Sequence, residues 1–296
     1  FLHLKEYDNL ITQSTITWCG KKIKYYTTNN ITALNKHFVD YINYGGYPEI
    51  IFSEKIKANL GRYIKSDIID KVLLRDLPSL YGIQNVQELN SFFTMLVYYT
   101  GNELSLESLS NSSGIYKLTL KKYLEYLEAA FLIKLIHRVD DSAKRFTRKN
   151  FYKIYLTNPS LRSALFSPLE PTDEAMGHMV ETAIYSQRLH RESSMPNYAR
   201  WNSGEVDMVF LDPKDLKPIW AGEIKWSNKP HNYHQEIKHL LSFCQKNKLR
   251  DAIVTTIDVS DYKEINGVCV NFIPASVYAY NVGHATIAYQ YLKIME

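Results

Sequence analysis

Residues 204–226, GEVDMVFLDPKDLKPIWAGEIKW, constrain the fold more than any other stretch of this chain. EVDMVF and IWAGEIKW are short apolar runs separated by Asp212-Pro213-Lys214-Asp215, the pattern of two strands joined by a turn. Side chains alternate along a strand, so Glu223 and Lys225 share one face and Ile224 points to the other. Asp207 comes from the partner strand. Two carboxylates and a lysine set among apolar strands need compensation, because a buried charge without a partner is costly.

The stretches on either side suggest three zones. Residues 1–85 read as a helical linker after a poorly patterned start. HFVDYINYGGYPEII has apolar residues at helical spacing, broken by Gly45-Gly46 and Pro48. KIKANLGRYIKSDIIDKVLLRDLPSL follows as an amphipathic helix ended by Pro78. Its apolar residues Leu60, Ile64, Ile68 and Val72 recur every four positions and are expected to pack a core.

Residues 86–157 have the rhythm of a winged-helix-like domain. VQELNSFFTMLVYYTG reads as a helix closed by Gly101. LSLESLSNSSG is a shorter one, with Ser105 as N-cap and Gly114 as terminator. LTLKKYLEYLEAAFLI is a third, placing Leu120, Leu124, Leu127 and Phe131 on one face. IKLIHRV and FYKIYLT then form a hairpin around DDSAKRFTRKN. Three helices and a hairpin is the order of a winged helix-turn-helix. Between Lys134 and Lys153 seven Lys or Arg face only Asp140 and Asp141. Lys144, Arg145, Arg148 and Lys149 are the candidate nucleic-acid contacts, reaching phosphates without reading sequence. The plain alternative is a solvated basic loop on a module that contacts protein. Glu125 and Glu128 on the third helix favour that alternative.

Residues 158–296 form the third zone. A helix, EAMGHMVETAIYSQRLHRE, precedes the strands YARWN, EVDMVF and IWAGEIKW. A second helix, YHQEIKHLLSFCQKN, leads to DAIVTTID and GVCVNFI. Apolar strands interleaved with helices indicate an α/β domain with a mixed sheet covered on both faces, so the whole chain reads as α+β and multidomain.

Composition excludes several classes. At 296 residues there is room for two cores, and 45% hydrophobic with 22% charged residues is ordinary for a soluble protein. A formal charge of +4 does not by itself imply nucleic acid. Cys19, Cys244 and Cys269 make no CxxC pair, which suits a reducing cytoplasm rather than a disulfide framework or zinc site. No apolar run reaches transmembrane length and no signal peptide is visible, so a membrane is not an expected partner. No GxxxxGK[ST] loop occurs, and CGKKI at 19–23 lacks the earlier glycine, so this stretch of chain is not expected to bind ATP. His231 and His234 lack cysteine partners and read as surface or helix-start residues. The chain begins with Phe, which reads as a fragment or processed product.

Two carboxylates from adjacent strands make an oxygen-rich site suited to Mg²⁺ or Mn²⁺, and such an ion can neutralise a phosphodiester and acidify water. A neighbouring lysine can stabilise the extra negative charge of the transition state. The alternative is a surface hairpin whose charges face water, and a bare E-x-K pattern would favour it. GEVD on the preceding strand and Glu181 on the preceding helix count against it.

Glu181 on a helix, Asp207 on a strand and Glu223-Ile224-Lys225 on the next resemble the PD-(D/E)XK nuclease superfamily. More narrowly, YINYGGYPEI, the Arg75-Asp76 pair of VLLRDLPSL, LTLKKYLEYLEAAFLIKLI, RKNFYKIYLTNPSLRSAL, GHMVETAIY, GEVDMVF and GEIKW resemble the C-terminal region of AAA-type ATPases carrying DUF4143. The resemblance covers residues 38–226, with Asn158 where that family usually has Asp. It implies metal coordination by Asp207, Glu223 and the Ile224 carbonyl, Lys225 as catalytic lysine and Glu181 as accessory acid. Gln235 is a weaker match to an extra polar residue. It also implies an ATPase module upstream, where alone ATP would bind, and a metal-dependent DNA nuclease as effector. The competing expectation is a non-catalytic module that holds DNA or protein for that ATPase.

Overall fold

The computed structural model describes residues 10–18, 21–144, 151–189 and 196–295. They form an α+β structure with mixed β-sheet and helices, divided into two compact units. Among the described residues no helix is long and apolar enough to cross a membrane.

The first unit combines the described residues of Phe1–Phe38, His137–Lys149 and Gln187–Glu296. Its sheet takes the strands in the order Asp261–Ile265, Val268–Pro274, Asp251–Thr256, Pro218–Glu223, Gly204–Leu211 and Asn197–Trp201, then the end of Ile133–Val139. Asp251–Thr256 is parallel to both of its neighbours, and its residues 252–256 are buried throughout. That explains why DAIVTT reads as a continuous apolar run rather than an alternating one. The helix Lys238–Lys246 supplies Leu240, Phe243 and Cys244 to a core with Val209, Ala221, Ala252 and Val254. The poorly patterned start is a hairpin, Ile11–Trp18 against Lys21–Thr28, rather than helix. The Asn281 side chain accepts from Tyr26 N–H and donates to Tyr26 O, both at 2.8 Å, doing for that strand what a third strand would do.

The second unit combines Val39–Ile136 with described residues of Asn150–Ser186. Its core contains Leu60, Ile64, Ile69, Leu73 and Leu77, with Ile68 and Val72 only partly buried. The expected four-residue spacing therefore takes one five-residue step after Ile64. The cause is local: Ile64–Ile69 and Val72–Asp76 are π-helical, between α-helical Leu60–Tyr63 and Leu77–Tyr81. A π turn holds one extra residue and rotates the following side chains. Burying a Leu or Ile contributes about 1.5–3 kcal/mol, so three such residues outweigh one irregular turn. Pro78 lies at the start of the last α segment instead of ending the helix, and Gly82 closes it at φ 66°. The run is continuous, with Leu77 N–H bonded to Val72 O, so Pro78 is carried inside a helix just after its π-helical turn.

Further along this unit come the helix Val86–Tyr98, strand Glu103–Ser105, helices Leu106–Ser113 and Lys117–Ala129, and strands Ile133–Val139 and Phe151–Leu156. Glu103–Ser105 pairs antiparallel with Phe151–Lys153. Ser105 is the N-cap, as expected, and completes a capping box with Ser108, and Gly114 ends that helix at φ 72°. Leu120, Leu124 and Leu127 are buried, but Phe131 is 81% exposed. Phe131 falls past the helix end with φ 55°, so the helical spacing no longer applies to it.

Candidate functional site

Strand pairing brings the first-named residues together. Gly204–Leu211 and Pro218–Glu223 run antiparallel with Met208 opposite Gly222 and Val209 opposite Ala221. Continuing one residue sets Asp207 across from Glu223. Both lie two positions along from Val209 and Ala221, hence on the face that packs against Lys238–Lys246. Gly222 is required by close approach on the other side: a Cβ there would sit 2.8 Å from the Ile253 carbonyl oxygen.

Lys225 closes the cluster. Its Nζ donates to Glu223 Oε2 at 2.7 Å and to Asp207 Oδ2 at 3.1 Å. The backbone N–H of Ile224 also donates to Asp207 Oδ2, at 3.0 Å. The Asp207 and Glu223 side chains are 9% and 6% exposed, whereas that of Lys225 is 36% exposed. The carboxylates are sunk, and the lysine that bonds them is half-buried.

Two like charges directly opposite each other repel, and burial adds to the effect. Burial first, and then the Asp207 charge, push the Glu223 carboxyl well above its usual range, against the opposing pull of Lys225. Burial alone would lower the Lys225 pKa. The charges of Asp207 and Glu223 outweigh it and raise the ammonium above its ordinary value.

Thr255 was not singled out by sequence reasoning. Its hydroxyl accepts from Lys225 N–H at 2.6 Å and donates to Lys225 O at 2.8 Å. Glu181 belongs to the second unit, on the buried helix Met176–Ser186. There its Oε1 accepts from Lys153 Nζ at 3.0 Å and from the Tyr155 hydroxyl. Neither partner was foreseen, and only chain folding brings residues 26 and 28 positions away to it. Of the basic-loop candidates, Lys144 is exposed and its backbone N–H donates to Asp140 Oδ1, while Arg145, Arg148 and Lys149 lie outside the described residues. Gln235 is exposed in the 3₁₀ turn His234–Ile237. His231 pairs with Asp261 at 2.7 Å, and His234 is exposed.

The donor set fits a hard divalent cation. Asp207 and Glu223 offer oxygens that already converge on one positive group. Among the described residues no group of three or more His, Cys, Asp or Glu gathers as a ligand set. Mg²⁺ tolerates this, since it is commonly held by one or two carboxylates and keeps several waters.

The comparisons with known proteins correct the family resemblance. Residues 35–173 match the model of a domain of unknown function, DUF8612, and not DUF4143. An uncharacterized protein of Methanocaldococcus jannaschii is 25% identical over 231 residues, covering 73% of this chain and 49% of that protein. An uncharacterized protein of Haemophilus influenzae is 24% identical over 246 residues, covering 81% of this chain and 57% of the relative. The chain thus spans about half the length of the curated relatives it matches. No solved structure matches. Nothing in these matches indicates an AAA-type ATPase region or a nuclease domain, so the resemblance read from the motifs does not stand. The matched domain takes in YINYGGYPEI, VLLRDLPSL, LTLKKYLEYLEAAFLIKLI and RKNFYKIYLTNPSLRSAL and ends at residue 173, short of GHMVETAIY, GEVDMVF and GEIKW, so most of the stretches read as DUF4143 fall in a different domain.

Proposed function

We propose that the Asp207–Glu223–Lys225 cluster supports Mg²⁺- or Mn²⁺-dependent hydrolysis of phosphodiester bonds in DNA, in the cytoplasm. The supporting observation is the convergence of one oxygen each from Asp207 and Glu223 on a single cationic group, within 3.1 Å. Asp207 and Glu223 would hold the ion, and the Ile224 carbonyl is a third candidate ligand. When bound, the ion supplies Lewis acidity toward the phosphate and toward water. Lys225 Nζ presents its N–H donors to negative charge developing on a phosphoryl oxygen. The Ile224 N–H fixes Asp207, so that carboxylate is oriented before substrate arrives.

A second reading is a binding module that holds DNA or protein without cutting it. It draws on the second unit, whose helix–strand–helix–helix–strand–strand order is that of a winged helix. Lys117, Lys121 and Lys122 lie on the helix Lys117–Ala129, beside Tyr116 and Leu118, which are 84% and 70% exposed. Lys144, Arg145, Arg148 and Lys149 are the further phosphate contacts under this reading.

Cleavage assays with Mg²⁺ or Mn²⁺ on linear, circular, single-stranded and branched DNA decide between the two. Asp207→Ala and Glu223→Ala should abolish cleavage, and Lys225→Ala should slow it about 10²-fold or more. Cleavage that survives all three changes points to a contaminant. A chain that cuts none of these substrates leaves the binding module.

A further inference from the structure

The ladder between Pro218–Glu223 and Asp251–Thr256 pairs Ala221 with Ala252, Gly222 with Ile253 and Glu223 with Val254. Regular pairing then stops. One step further, the Thr255 side chain replaces a backbone partner and bonds both polar groups of Lys225. Thr255 is fully buried, and a β-branched side chain has restricted χ1, so its hydroxyl is a fixed point. Freed from the ladder, Ile224 N–H turns to Asp207, and Lys225 Nζ reaches back to both carboxylates.

We propose that Thr255 is a positioning residue: its hydroxyl pins the Lys225 peptide and thereby holds the Ile224 amide and the Lys225 ammonium on the two carboxylates. The consequence for turnover rests on the catalytic reading above, whereas the consequence for the Ile224 amide rests on geometry alone. A hydroxyl that merely caps the strand end would protect the Lys225 amide and nothing beyond it. Ile224 N–H makes its bond to Asp207, so it reports whether the effect of Thr255 is passed on.

Hydrogen exchange with residue-level resolution separates these cases in Thr255→Val, which keeps the shape and removes the hydroxyl, and Thr255→Ser, which keeps the hydroxyl. In the valine variant both the Lys225 and Ile224 amides should exchange about tenfold faster or more, the factor corresponding to one ordinary hydrogen bond. The serine variant should exchange like the parent. DNA cleavage by the valine variant should show kcat lowered about tenfold with KM unchanged. Faster exchange at Lys225 with no change at Ile224 overturns the proposal. If Thr255→Val does not fold, Thr255→Ala replaces it under the same criteria, and loss of Ile224 protection in the serine variant also overturns the idea. Faster exchange at both amides in Thr255→Val, with a parent chain that cuts no DNA, leaves the positioning role standing and removes the catalytic reading instead.

Discussion

Each compact unit pairs a lysine with buried carboxylate, and the two clusters differ in charge balance and in how exposed the lysine is. Lys153 and Glu181 are one base and one acid, with side chains 4% and 8% exposed and the Tyr155 hydroxyl on the same carboxylate. Lys225 serves two acids, and its side chain is 36% exposed. A balanced, closed pair with its hydrogen bonds made has no further need of a cation. A cluster with one acid in excess must meet the extra charge with a proton or a cation, and the raised Glu223 pKa is the mark of that repulsion. Buried charge alone therefore does not mark a site.

The largest expected effect lies in the closed cluster. Glu181→Ala leaves the Lys153 ammonium buried without its carboxylate and should destabilise the chain by about 3–5 kcal/mol, read from urea unfolding. Replacing both partners, as Lys153→Met with Glu181→Leu, should restore most of that loss. A single substitution costing less than about 1 kcal/mol would erase the distinction drawn between the clusters.

Next in size is the response to metal. Mn²⁺ at about one hundred times its dissociation constant should stabilise the chain by about 2.7 kcal/mol. The stabilisation should vanish in Asp207→Ala and persist in the Lys153→Met, Glu181→Leu double variant. Equal stabilisation of all three chains would place the ion elsewhere.

The smallest effect concerns pH. Burial, and then Asp207, raise the Glu223 pKa in the folded chain. Such a group contributes stability that is present below its unfolded pKa and is lost as pH rises through the folded value. Glu223→Gln mimics the protonated form, so it should stabilise the chain relative to the parent at pH 8 and lose that advantage by about pH 4, below the ordinary glutamate range. Thermal unfolding at the two pH values measures the difference, and an advantage independent of pH removes the excess-acid account.

Much of this arrangement was legible where the cause is local. Alternation along GEVDMVF and IWAGEIKW put Asp207, Glu223 and Lys225 on one face. Ser105 and Gly114 announced the ends of a helix through their own backbone chemistry. What escaped depends on groups distant in the chain or on irregular turns. The partners of Glu181 come from Phe151–Leu156, and Thr255 meets Lys225 across 30 residues. The step from Ile64 to Ile69 needs a π turn that no four-residue spacing shows. The opening hairpin lacked the clean alternation that would separate it from helix, and most of the stretches read as DUF4143 lie within the match to a different domain.

The interleaving of the two units has a consequence for the order in which they can form during synthesis. The chain passes between them at 38/39, 136/137, 149/150 and 186/187. The second unit has all its residues once Ser186 has been made. At that moment the first unit still lacks Asp207, Glu223, Lys225 and every strand from Asn197 onward. A ribosome emitting this chain therefore releases a complete scaffold, closed lysine pair included, well before it releases the Asp207–Glu223–Lys225 cluster. The opening hairpin must wait longer still, until Asn281 has been made, for the side chain that bonds Tyr26.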